Sequence, residues 1–120
     1  MTTTATRTVH NVIGGQELPA ASGETLEKRA PATGRVLSHV ARSRAEDVDA
    51  AISAAAGAQP AWARETPVAR GAVLRRIAQL LERDAQEISR IVAQETGKPL
   101  KDALGETGGA VEQGLSLIHI

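Results

Sequence analysis

Residues 66–98 read TPVARGAVLRRIAQLLERDAQEISRIVAQETGK, and the helical pattern of this run decides the fold of the chain. Thr66 is a favourable N-cap, and Pro67 falls at the first helical position, where its missing N–H would have had no intrahelical partner. A helix therefore starts at Pro67. Ala69, Val73, Leu74, Ile77, Leu80 and Leu81 fall on one broad stripe, with Arg75, Gln79, Glu82 and Arg83 opposite, so one face is expected to be buried and the other wet. Asp84-x-x-Glu87 has the spacing of a capping box, which predicts a break at Asp84 and a second helix restarting on Ala85 with Ile88, Ile91 and Val92 as its stripe. That helix should stop at Gly97, which can take the left-handed conformation, because Pro99 prevents its continuation. Glu95 is the odd residue: at about 100° per residue from Ile88 it lies within the apolar stripe, where a carboxylate needs a partner.

Working outward towards the C-terminus, Leu100, Ala103, Leu104, Thr107, Gly108 and Val111 make the apolar face of a third helix over 100–114, with Lys101, Asp102, Glu106 and Gln113 away from it. Gly105, Gly108 and Gly109 each weaken it by up to about 1 kcal/mol relative to alanine, so it needs packing support or the close approach of another backbone. Towards the N-terminus, Ser43-x-x-Glu46 has capping-box spacing, and Val48, Ala51, Ile52 and Ala55 predict a helix to about Gly57, followed by a turn at Gln59-Pro60-Ala61-Trp62.

The first 41 residues read as strands. Gly14-Gly15 between β-forming residues predicts a hairpin with strands at about 9–13 and 16–19. Residues 25–29 alternate as a strand, 30–34 form a turn, and 35–41 form the next strand. The expected architecture is a small antiparallel β-meander followed by several α-helices. Residues 1–8 are polar, have nothing to bury, and are expected to be disordered.

Composition narrows the function classes. The 120 residues carry 14 basic and 14 acidic side chains, so no strong nucleic-acid or membrane field follows. Trp62 is the only aromatic residue, and the 42% hydrophobic content is rich in alanine, which leaves little apolar volume for a private core and suggests an incomplete domain. Cysteine is absent, which excludes disulfides, thiolate metal sites and a cysteine nucleophile inside the chain. No apolar run approaches the roughly 20 residues of a membrane span, and the first ten residues hold no apolar leader, so a cytoplasmic protein is expected.

Several residues have ordinary readings. Arg83, Glu87 and Arg90 fit a solvated helix face, and His10 and His39 have no second ligand at metal spacing. Lys98 beside Gly97 lacks the preceding glycine pattern of a phosphate loop.

Taken together, Ile13-Gly14-Gly15, Ser22-Gly23-Glu24-Thr25, Pro31-Ala32-Thr33-Gly34, 45–51, Pro60-Ala61-Trp62, Arg75-Arg76-Ile77-Ala78 and Glu95-Thr96-Gly97-Lys98-Pro99 resemble, in order and spacing, the start of aldehyde dehydrogenases. The resemblance covers about 9–114, and the ordered series is far more specific than any one piece. It implies an α+β fragment of an α/β enzyme, the opening part of its cofactor-binding domain. It also implies oxidation of a small aldehyde to a carboxylic acid with NAD or NADP, through a cysteine thiohemiacetal and a thioester hydrolysed by glutamate-activated water. In the family the cysteine, glutamate, oxyanion-hole asparagine and cofactor turn lie downstream of the matched region. The fragment alone is thus expected to be inactive, and the full enzyme to be a homo-oligomer.

The resemblance implies one site within the chain, a monovalent cation held by the backbone carbonyls of Lys28 and Arg29 and the carboxylate of Glu95. The alternative is a last-turn glutamate bonded to backbone N–H groups or paired with Arg29. Departures from the family pattern are Ala30 where an asparagine usually braces the turn, Gln59 where a large apolar residue is common, and 115–120, which resemble translated adapter and read as a foreign tail. The competing function class is a non-catalytic helical interaction module.

Overall fold

A computed structural model describes the backbone of residues 6–119; 1–5 and Ile120, together with the expectations placed on them, lie outside the described residues. The chain divides into two compact units, Met1–Ala63 and Arg64–Ile120.

In the first unit, β1 (Arg7–Val9), β5 (Val36–Ala41) and β4 (Thr25–Arg29) form a three-stranded sheet in that spatial order, and β2 (Asn11–Ile13) pairs antiparallel with β3 (Gln16–Leu18) in a separate hairpin. Gly14 and Gly15 turn that hairpin at φ 59° and 79°, values that cost other residues steric strain but glycine none. Two expectations need correction. Arg7 and Thr8 lie in strand β1 and so are not part of a disordered terminus, and the strands do not form one continuous meander because β1 runs parallel to β5 and the β2–β3 hairpin stands apart. Register decides both: Val9, Val40 and Leu26 line up across the three strands, and this apolar row exists only if β1 is recruited. The ladder between β4 and β5 is interrupted between Lys28 and Arg29, where Lys28 faces Ser38 but Arg29 faces Val36. Leu37 is thereby left over, the arrangement of a β-bulge. The turn after β4 closes without an asparagine, through Ala30 N–H to Arg35 O at 2.9 Å and Gly34 N–H to Ala30 O at 2.8 Å.

Helix α1 spans Ala45–Arg64 and contains Pro60, so it does not end near Gly57. Alanine at 50, 51, 54, 55, 56, 58, 61 and 63 gives this stretch high helix propensity, which outweighs the bond lost at Pro60. The predicted Ser43 cap is also wrong. Ser43 Oγ donates to Asn11 Oδ1 at 2.8 Å, and the side chain that satisfies the start of α1 is Asp47, whose Oδ2 accepts Arg44 N–H at 2.8 Å.

The second unit contains α2 (Pro67–Arg83), α3 (Ala85–Thr96), α4 (Leu100–Ser116) and a 3₁₀ turn, Leu117–His119. Thr66 caps α2 as expected, accepting Ala69 N–H at 3.1 Å. The break at Asp84 is present, but Asp84 makes no side-chain cap; its carboxylate takes both Nε and Nη2 of Arg83, at 2.7 and 2.8 Å, because a bidentate guanidinium outcompetes a single backbone N–H. Gly97 ends α3 at φ 76°.

Helix α4 packs against both α2 and α3 through small residues. Gly71 and Ala78 are buried on α2, Ser89 on α3, and Ala103 and Thr107 on α4. The seam is tight enough that a Cβ on Gly114 would touch Ala78 Cβ at 3.6 Å, which gives one of α4's glycines a packing role. Consequently the buried face of α2 is narrower than its apolar stripe, and Val73 and Ile77 remain about half exposed. Residues 115–118 continue the seam: a Cβ on Gly71 would meet Ile118 Cγ2 at 3.3 Å.

Candidate functional site

Lys28 and Arg29 are neighbours at the end of β4, at the bulge, with Lys28 half-buried and Arg29 exposed. The Arg29 guanidinium is engaged locally, donating to Gly34 O at 2.9 Å and forming an ion pair with Glu27 on the same strand. Glu95 belongs to the second unit, half-buried in the last turn of α3, as its place on the apolar stripe predicts. The turn around it is firmly built. Thr96 Oγ1 donates to Val92 O at 2.7 Å, Gly97 N–H to Ala93 O at 2.9 Å, and Lys98 Nζ pairs with Glu106 of α4. The three predicted site residues thus fall in two units, Lys28 and Arg29 together in one and Glu95 in the other. Among the described residues no group of three or more His, Asp and Glu side chains is arranged to hold a metal. A carbonyl-based site for a monovalent cation is of a different kind.

Two polar constellations escape sequence reasoning. Asp47 is buried, and its carboxylate ties the start of α1 to the chain after β3, with Oδ1 accepting Ala21 N–H at 2.8 Å while Oδ2 holds Arg44 N–H. These N–H groups, Arg44's foremost and then Ala21's, hold the Asp47 carboxyl below its ordinary range. Alongside, Arg44 Nη2 pairs with Glu24 Oε2 at 2.6 Å, which lowers the Glu24 pKa. Acidic residues in the first turn signal a cap in general, but nothing local shows that Asp47 reaches Ala21.

The second constellation joins α3 to α4. Ser89 Oγ donates to Ala85 O at 2.6 Å and lies 2.8 Å from Thr107 Oγ1, which in turn reaches Ala103 O at 3.0 Å. Each buried hydroxyl is satisfied, so the pair fixes helix register and is not poised for nucleophilic chemistry. The chain contains no cysteine, and its Gly14-Gly15 turn joins two antiparallel strands, whereas a dinucleotide turn leads from a strand into a helix.

Comparison with known proteins gives this local structure its family. The aldehyde dehydrogenase family matches over residues 18–114. The chain is 44% identical over 99 residues to 3,6-anhydro-alpha-L-galactose dehydrogenase of Streptomyces coelicolor, covering 82% of this chain and 20% of that protein. It is 37% identical over 101 residues to D-glyceraldehyde dehydrogenase (NADP(+)) of Thermoplasma acidophilum, covering 84% of this chain and again 20% of the relative. Among solved structures, the NAD-dependent aldehyde dehydrogenase from Sinorhizobium meliloti superposes with a TM-score of 0.90 at 27% identity, over 95% of this chain and 23% of that one. The chain therefore spans about a fifth of the length of the curated relatives it matches. With most of its residues matched in sequence and its strand set and helices matched in structure, the chain belongs to the aldehyde dehydrogenase family.

Proposed function

We propose that the chain is the N-terminal part of an NAD(P)-dependent aldehyde dehydrogenase, in which an aldehyde, water and oxidised NAD(P) give a carboxylic acid, NAD(P)H and a proton. The observation that carries this reading is the family match over 18–114 by a chain that spans only a fifth of its relatives. The cofactor supplies the hydride acceptor when bound; this chain supplies neither the thiol nor the dinucleotide turn. Alone it is inactive. The matched relatives differ in substrate and in NAD or NADP, and the residues that select the aldehyde are expected beyond Gly114.

The contribution of this part to the whole enzyme is structural, with one bound ion. Lys28 and Arg29 carbonyls and the Glu95 carboxylate hold a monovalent cation. Support comes from the interrupted ladder between Lys28 and Arg29, which re-aims backbone groups. Residues 115–120 are read as a foreign tail, a reading supported by the end of the family match at Gly114. The full enzyme works in the cytoplasm as a homo-oligomer; no helix among the described residues is long and apolar enough to cross a membrane.

The test is spectrophotometric. Purified 120-residue chain should produce no NADH or NADPH from short aliphatic or semialdehyde substrates. Turnover above a catalytically dead control preparation would contradict the assignment of the chemistry to residues outside this chain.

A further inference from the structure

Helix α4 does not simply run out at its C-terminal end. It tightens there, with Ser116 Oγ donating to Gln113 O at 2.8 Å and Leu117 N–H directed to Gln113 O and Leu115 O, and the 3₁₀ turn Leu117–His119 then packs back against α2. Two glycines mark the path. A Cβ on Gly114 would stand 3.6 Å from Ala78 Cβ, and a Cβ on Gly71 would stand 3.3 Å from Ile118 Cγ2. Gly71 and Ala78 lie seven residues apart, about two turns of α2, so they share one side of that helix roughly 10 Å from each other. Both are buried, and Ile118 is half-buried while Leu115, Ser116 and Leu117 are exposed. Gly71 and Ile118 share a hollow of about 380 Å³ with Pro67, Val68, Ala72 and Arg75.

We propose that residues 115–118 are a strap that closes the α2–α4 unit on itself, with Ile118 as its anchor in the notch at Gly71. A glycine inside a helix weakens it relative to alanine. At position 71 the missing side chain makes room for the γ2-methyl of Ile118, so the notch and its occupant are both on this chain. The anchor matters because the unit buries little else. Among its described residues no apolar side chain larger than alanine is fully buried, Ala78 and Ala103 being the two that are, so half-buried residues such as Ile118 carry the apolar burial. The family match ends at residue 114, so the strap is a property of this chain and not of the matched family sequence. It uses only residues 67–118 and holds whatever the activity of the whole enzyme.

The full 120-residue chain with isoleucine γ2-methyl groups labelled in ¹³C reads the contact directly. A nuclear Overhauser effect from the Ile118 methyl to the Gly71 Hα protons is expected, with Ile118→Val assigning the signal by its disappearance. In urea melts followed by far-UV circular dichroism, Ile118→Gln should lower the midpoint by about 0.5–1 M. Leu117→Gln, one position earlier and 53% exposed, should leave it nearly unchanged. Ile118→Val keeps the γ2-methyl and should lose less than Ile118→Gln, which keeps the test decisive if the glutamine variant does not fold. Gly71→Ala should raise the midpoint more in the Ile118→Ala chain than in the wild type, because only there is the gain in helix propensity free of the contact at 3.3 Å. An absent Overhauser effect, equal losses at 117 and 118, or the same response to Gly71→Ala in both backgrounds overturns the strap.

Discussion

Asp47 and Ala21 stand 26 residues apart in sequence, yet Oδ1 of the first accepts the backbone N–H of the second at 2.8 Å, with Oδ2 on Arg44 N–H at the same distance. One carboxylate therefore fastens the start of α1 to the chain leaving β3. Asp47→Ala should lower the urea midpoint read from Trp62 fluorescence, because it leaves two backbone donors without acceptors. The folded pKa lies below the ordinary 3.8, so the stabilisation is complete above the unfolded value and is lost as pH falls through the folded pKa. The difference in stability between wild type and Asp47→Asn should be flat above about pH 5 and shrink in acid. A difference that grows on acidification would contradict the role.

Ser89 and Thr107 predict a different pattern. Ser89→Ala should cost only about 1 kcal/mol, since Thr107 keeps Ala103 O as partner and no buried group is orphaned. Ser89→Leu should cost about 1–3 kcal/mol through overpacking against fully buried Ala103. Equal effects of the two substitutions on the helical unfolding transition would show that the α3–α4 seam is loose.

At the two ends of α2 the capping chemistry is unequal. Thr66→Ala should destabilise by about 1 kcal/mol because Ala69 N–H loses its acceptor. Asp84→Ala should cost less, as its side chain caps nothing and pairs with exposed Arg83. Circular dichroism melts of both variants check this, and a larger loss at Asp84 would restore the capping box.

These cases show what was legible. Thr66, Pro67, Gly97 and Pro99 act within one turn of where they stand, so the bounds of α2 and α3 follow from local chemistry. Helix α1 was misjudged because propensity summed over its alanines outweighed one proline. The parallel β1–β5 pair and the Asp47–Ala21 bond join residues more than 25 positions apart, and no local signal reports them. At the candidate site, the stripe position of Glu95 correctly foretold its half-burial, and the bulge between Lys28 and Arg29 was invisible because it depends on the register of β5.

For the proposed cation site, Glu95→Gln in the full-length enzyme should reduce the stabilisation conferred by K⁺ and leave turnover nearly intact. Thermal melts in K⁺ against a large organic cation measure this. An unchanged K⁺ response would remove Glu95 from the site.

The central claim is that this chain is the opening fifth of an aldehyde dehydrogenase whose chemistry lies beyond Gly114. Sequencing the genomic reading frame past that codon tests it most directly. The account predicts that the frame departs from the codons for 115–120 and continues into a longer chain with a cysteine nucleophile and a catalytic glutamate. A genomic frame that closes after Ile120 would contradict it and favour a non-catalytic interaction module.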